Sequence, residues 1–243
     1  VLYFSSHDIY YPNREDVFRK KIVEKDSYEW FGTRIEAAYK HIFIRDIQKQ
    51  WYIKGINKRI NSPEKLLDFL KKECEGYRII TVGSSAGGYA AVLYGSQLGA
   101  EKVFSFNGQF ELNSLLVRST SLIDPLLFRL QNTDKRIYFD LKPFLNRCVP
   151  IYYFVSLGSS WDREQFEHIK TAGQIKSIQF RTSHHGIPFP KVCLPKVLSL
   201  SNESFDRFKE SKHSPLLFSI NLIGWLATCK GIWLQITKNY FKR

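Results

Sequence analysis

The chain has 243 residues, 44% of them hydrophobic, which is enough to bury one large core, and α/β domains of this size are routinely single. Its formal charge of +13 asks for an anionic partner. No DNA- or RNA-binding motif is present, however, and the basic residues do not cluster on one readable element, so no nucleic acid is expected. Cys74, Cys148, Cys193 and Cys229 lack CxxC spacing and no signal peptide opens the sequence, so reduced thiols in a cytoplasmic protein are the expectation.

In chain order, residues 1–4 read as a first strand running into the loop Ser5, Ser6, His7, Asp8. Residues 41–44 read as a second strand, ending in Arg45 and Asp46 and followed by Trp51 and Tyr52. If it is parallel to its neighbours, Arg45 emerges on the active-site edge, either to clamp an anionic substrate group or to pair with Asp46. Asn61, Ser62, Pro63 and Glu64 carry the cap, proline and acid that begin a helix over 65–74. Residues 78–82 form a buried strand, 83–88 a very tight turn, and the following residues a helix packed on the sheet. A strand over 102–106 leads to Asn107, Gly108 and Gln109, where Gln109 would either bond a ligand hydroxyl or be ordinary loop polarity.

Residues 111–147 are a long, partly apolar insertion whose runs 112–117 and 126–130 suggest short helices covering a site, as a lid would. A strand over 149–158 ends at Ser159, Ser160, Trp161 and Asp162, a helix follows over 163–170, and a last strand over 175–181 enters Thr182, Ser183, His184, His185 and Gly186. Strands alternating with helices imply an α/β fold with a doubly wound, mostly parallel sheet of about six strands. Residues 1–200 are expected to hold that domain and 201–243 a C-terminal helical extension. Tyr10, Tyr11, Trp30, Trp51 and Trp161 suit stacking on sugar rings, or else core and rim packing.

The tight turn is the most informative stretch. Gly83-x-Ser85-x-Gly87 is the pattern of a nucleophile elbow, in which the nucleophile stands on a strained strand-to-helix turn and its neighbours can carry almost no side chain. A bare Gly-x-Ser-x-Gly arises by chance in roughly one chain in ten of this length, so the flanking strand and helix carry the reading. A phosphate cradle is the competing use of such a turn, but the Lys-Ser/Thr of a P-loop and the spacing of a dinucleotide fingerprint are both missing. Downstream, Asp162 lies just past a strand end, where either a triad acid or a helix N-cap belongs. His184 and His185 follow on a post-strand loop. No third ligand is suitably spaced near them, so no metal is expected.

The order Ser85, Asp162, His185 resembles that of the α/β-hydrolase superfamily, and within it the small serine enzymes encoded with bacterial capsule and other surface-polysaccharide genes. The residues carrying the likeness are 83–88, 107–109, 158–162 and 184–186, within roughly residues 1–200. The resemblance implies an acyl ester hydrolase or O-acetyltransferase with an acyl-Ser85 intermediate, His185 as base in preference to His184, and Asp162 orienting the imidazole. Ala86 N–H and a second donor, expected at Ser6, would form the oxyanion hole. Arg45, Gln109, Trp51, Trp161 and His184 are the expected substrate contacts. No tightly bound cofactor is implied; acetyl-coenzyme A is a candidate acyl donor and a glycan a candidate acceptor. The alternative is a non-catalytic glycan- or membrane-binding assembly factor on the same fold.

After Ser211 the sequence holds five Lys and Arg and no acid, and the 15 residues 215–229 carry no charge. That run is short for a span of ~20 residues. With Trp225, Trp233, Tyr240, Lys242 and Arg243, residues 215–243 suit an interfacial anchor on the inner face of a cell membrane, or a helix packed on the domain or on a second copy.

Overall fold

The computed structural model describes residues 1–209 and 211–240. Its strands are β1 (Leu2–Phe4), β2 (Ile42–Ile44), β3 (Ile80–Ser84), β4 (Lys102–Phe106), β5 (Ile151–Ser156), β6 (Ile175–Phe180) and β7 (Lys212–His213). They form one sheet in the order β2-β1-β3-β4-β5-β6-β7, and every neighbouring pair is parallel. The expectation of about six strands is therefore corrected to seven. The added strand is two residues, Lys and His, without an apolar alternation to announce it. It exists because the Arg181 N–H donates to the His213 carbonyl at 2.9 Å and covers the edge of β6.

The helices are α1 (Glu15–Phe18), α2 (Pro63–Glu73), α3 (Ala86–Gln97), α4 (Asn113–Arg118), α5 (Pro125–Leu130), α6 (Ser160–Ile169), α7 (Leu194–Leu198), α8 (Asn202–Asp206), α9 (Pro215–Ile223) and α10 (Trp225–Tyr240). The α2 start is as the sequence implies: the Ser62 hydroxyl accepts from the Lys65 N–H at 3.3 Å and Pro63 opens the first turn. Leu66 and Leu70 of α2, most of α3, the insertion and Ile169 of α6 pack on one face of the sheet. Trp30, Leu194 and Val197 of α7, Phe205 of α8 and Phe218 of α9 pack on the other. Both faces are covered, so the strands are apolar on both sides, and each large side chain fully buried here contributes about 1.5–3 kcal/mol.

This arrangement places the site. The chain steps from β1 outward to β2, then crosses back to β3 on the other side of β1. The connections leaving β1 and β3 thus run to opposite faces, and the crevice between them opens at the carboxyl ends of the strands. The insertion is rooted, not free: Phe110, Leu112, Leu127, Leu130, Tyr138 and Phe139 are buried under it, and only its outer rim, with Val117, Leu122 and Ile123, is exposed. Residues after 200 are equally tied in, through β7, Phe205 and Phe218. Among the described residues, no helix is long and apolar enough to cross a membrane.

Candidate active site

Ser85 occupies the turn between β3 and α3 with φ +52° and ψ −123°, a conformation a non-glycine residue adopts only when its surroundings enforce it. The enforcement is visible atom by atom. A Cβ on Gly83 would lie 2.0 Å from the Gly87 carbonyl oxygen, and one on Gly87 would lie 2.2 Å from the carbonyl oxygen of Phe4 in β1. The Ser85 N–H donates across to Phe106 of β4 at 2.9 Å. Ala86 opens α3, so its N–H has no intrahelical acceptor and points toward the crevice at the helix's positive end.

Ser85 Oγ lies 2.8 Å from His185 Nε2, and His185 Nδ1 lies 2.8 Å from Asp162 Oδ1. Asp162 is almost fully buried in α6. A carboxylate only accepts, so it holds the proton on Nδ1 and leaves Nε2 as the acceptor for the serine hydroxyl. Asp162 is not the helix cap. That place is taken by Ser159, whose hydroxyl accepts from the Asp162 N–H at 3.3 Å. Trp161 stacks on the His185 ring with centroids 5.3 Å apart and 22° between planes. The trio can transfer the serine proton to the imidazole while the aspartate balances the charge that appears.

Two side chains to which the sequence assigns no role of their own hold the histidine loop. Asn107 Nδ2 donates to the carbonyls of His184 at 3.2 Å and Gly186 at 2.9 Å, on either side of His185. The Ser156 hydroxyl donates to the His184 carbonyl at 2.7 Å and accepts from the same Asn107 amide at 2.8 Å. Asn107 has φ +45°, which suits asparagine at a strand end. His184 enters the network through its carbonyl; its exposed residue surface stays on the outer side of the loop.

Other expected contacts are placed differently. The Ser6 N–H donates to the Glu29 carboxylate, which also accepts from the Ser84 hydroxyl at 3.4 Å. Desolvation pushes the Glu29 carboxyl up from its ordinary value. An N–H engaged by a carboxylate is closed to a second anion, so Ser6 is not an open oxyanion donor here. Arg45 does not pair with Asp46. Its guanidinium bonds Asp26 Oδ1 at 2.7 Å and the Ser27 carbonyl at 2.9 Å, and covers the Tyr28 ring.

Asp46 is buried and accepts backbone N–H groups from Gln48, Gln50 and Tyr52 at 2.7–3.0 Å. It thereby holds Lys49, Trp51 and Tyr52 at φ of +53°, +56° and +61°. That cramped loop sends Trp51 inward, where it is buried and not free to stack on a sugar, as is Trp30.

Trp51 Nε1–H donates to Gln109 Oε1 at 3.1 Å, and Gln109 Nε2 donates to Ser85 Oγ at 3.3 Å. Because an indole nitrogen can only donate, the Gln109 amide is oriented with its NH2 toward the serine. Gln109 is therefore too buried for a surface sugar contact and faces the reacting oxygen instead. His7 packs edge-on against Trp51 at 4.5 Å, and burial, aided by Lys49, pushes its imidazole down to about 3. A cleft of about 510 Å³ lies on the far side of Trp51, lined among others by Tyr10, Tyr11, Arg14, Lys49 and Leu122. Among the described residues no three His, Cys, Asp or Glu gather as metal ligands.

No family model matches the chain, and no curated protein sequence matches it either. Among solved structures, the capsule O-acetyltransferase of Neisseria meningitidis serogroup A in complex with caged gadolinium is similar at 15% identity and a TM-score of 0.47, covering 63% of this chain and 71% of that one. The same enzyme without gadolinium in its description gives 14% identity and 0.46 over 63% and 72%. A protein of unknown function from Staphylococcus aureus subsp. aureus Mu50 gives 12% and 0.41 over 91% and 88%. At these scores the likeness carries no argument about the chemistry of this chain.

Proposed function

We propose that this chain is a serine-dependent acyl ester hydrolase or O-acyltransferase on a reduced α/β-hydrolase fold, with Ser85, His185 and Asp162 as its catalytic triad. The observation that carries the reading is the unbroken run from the strained Ser85 through His185 to buried Asp162, with both links at 2.8 Å. Ser85 Oγ attacks the ester carbonyl carbon as His185 Nε2 takes its proton. The tetrahedral intermediate collapses as His185 returns that proton to the leaving atom, the oxygen of an ester or the sulfur of a thioester donor, leaving acyl-Ser85. Water or a sugar hydroxyl, deprotonated by His185, then attacks the acyl carbon and releases the serine.

In this reading the oxyanion is held by the Ala86 N–H and by Gln109 Nε2, in place of the expected Ser6 N–H. Gln109 Nε2 lies 3.3 Å from Ser85 Oγ, beside the place the substrate carbonyl oxygen takes in the tetrahedral intermediate, and donors must lie about 2.7–3.1 Å from that developing anion. The acyl acceptor in this proposal is a surface-glycan hydroxyl and the donor an activated acetyl group such as acetyl-coenzyme A. The cleft bordered by Trp51, with Tyr10, Tyr11, Asn13 and Gln48 in its lining, supports a hydroxyl-rich ligand. A purely binding role is disfavoured, because nothing in a binder requires the serine's strain or its aligned base.

The test is intact-protein mass spectrometry after exposure to a fluorophosphonate, with 4-nitrophenyl acetate hydrolysis alongside. One adduct on the wild type that vanishes in Ser85→Ala is expected. A folded wild type that neither takes the adduct nor turns over the ester would overturn the proposal.

A further inference from the structure

The C-terminal helices are attached the wrong way round for a surface helix in water. α10 turns its small residues inward: Thr228 is buried, and a Cβ on Gly231 would lie 2.4 Å from Val192 Cβ, so helix and domain approach closely there. Its outward stripe is Leu226, Lys230, Trp233 and Thr237, at helical spacings of four, three and four residues. Leu226 is 83% exposed, Trp233 63% and, at the helix start, Trp225 60%. α9 adds Leu217, also more than half exposed, across the turn at Gly224. Single exposed apolar residues need no explanation, but Leu217, Trp225, Leu226 and Trp233 exposed on adjoining helices mark a surface that something covers.

We infer that this face docks in the plane of an anionic lipid bilayer. The choice of occupant rests on charge and chemistry. Residues 211–243 contain five Lys and Arg and no Asp or Glu, so the region complements an anionic surface. In a two-fold pairing of this patch with its own copy, Lys230 would meet the same acid-free surface. Two indoles on an apolar face suit the headgroup boundary, where one end of the ring is wet and the other dry. Since no described helix is long and apolar enough to cross, the helices lie in the interface. Of the basic end, Lys242, Arg243 and the side chains of Lys238 and Tyr240 fall outside the described residues.

The same helix borders the loop next to His185. A groove of about 390 Å³ runs between α10, at Ile232 and Ile236, and the loop carrying His184, Pro188 and Phe189. A bilayer on the outward face would lie beside the loop that positions His185, within reach of a membrane-borne acyl acceptor. That consequence rests on the serine-enzyme reading; the docking itself does not.

The experiment is flotation of the full chain with vesicles of phosphatidylcholine alone and of phosphatidylcholine containing one-third phosphatidylglycerol, at low and high salt. Wild type is expected to float with the anionic vesicles at low salt, with a blue-shifted tryptophan emission, and much less with neutral ones. Trp225→Ser with Trp233→Ser should weaken that partition at least tenfold. Lys230→Glu, a polar exchange at an exposed site that leaves folding intact, should weaken it by roughly tenfold on anionic vesicles alone. Lys71→Glu, on the exposed face of α2, should change it little, which separates this face from the general positive charge. Failure of the wild type to float at low salt would overturn the inference, as would an equal loss in Lys71→Glu. So would a light-scattering dimer, in place of vesicle binding, that the tryptophan substitutions dissolve.

Discussion

The crevice at the ends of β3, β4 and β5 and the outward face of α9 and α10 are built on opposite principles. In the crevice, side chains are held by specific hydrogen bonds: Asn107 to two carbonyls, Asp46 to three N–H groups, Gln109 to Trp51 and Ser85. On the helices, the large apolar side chains of Leu217, Trp225, Leu226 and Trp233 stand exposed. The first region works by fixed angles and distances, where one misplaced group removes most of the effect. The second works by summed area and charge, where each residue adds a modest increment. This contrast explains why the crevice tolerates strained backbone at Ser85, Trp51 and Tyr52, while the helices need none.

If the crevice depends on geometry in this way, Asp162→Asn should cut ester turnover by about 10,000-fold while leaving the fold intact, because an amide no longer enforces the Nδ1–H tautomer. Steady-state kinetics beside a thermal melt would check it, and a loss of only a few fold would put Asp162 among merely structural contacts. Gln109→Leu should lower kcat by about 100- to 1,000-fold with KM nearly unchanged, as expected when a donor acts only on the developing anion. An increase confined to KM would make Gln109 a substrate contact instead.

A smaller and more graded effect concerns His7, which sits against Trp51 at the border of the crevice. The folded chain keeps this imidazole neutral down to about 3, whereas the unfolded chain protonates it below its ordinary 6.5. The unfolded state therefore binds the extra proton within that window, so stability is full above it and lost as pH falls through it. The slope from this group is at most about 1.4 kcal/mol per pH unit. Urea unfolding at a series of pH values should be flatter by up to that amount in His7→Gln. An unchanged slope would show that His7 is already solvated and that the crevice is looser at this border than its contacts imply.

Much of the crevice was legible before any coordinates. Ser85 announces itself because the turn forbids side chains at 83 and 87, and forbidden side chains leave glycines in the sequence. Asp162 and His185 follow strands whose apolar runs are plain, so their place at the sheet edge could be read. What could not be read were the partners that pin them. Asn107 reaches Ser156 across 49 residues and the His184 carbonyl across 77, and no local pattern encodes such a pairing. Arg45 pairs with Asp26 and not with the adjacent Asp46 for the same reason: Asp26 comes from a loop 19 residues earlier. β7 was missed because two polar residues become a strand only when a neighbouring edge supplies their hydrogen bonds.

Residue type and spacing alone determined the class of fold, the strained serine and the order of the two residues that follow it. Each is a short-range consequence of sterics and periodicity, which act through neighbouring residues. Tertiary structure decided which polar group faces which: that Glu29 takes the Ser6 N–H, that Trp51 turns Gln109 toward Ser85, and that α10 shows its large side chains to the outside. Those outcomes depend on elements distant in sequence competing for the same few donors and the same buried volume, a competition that is settled only once the sheet has brought them together.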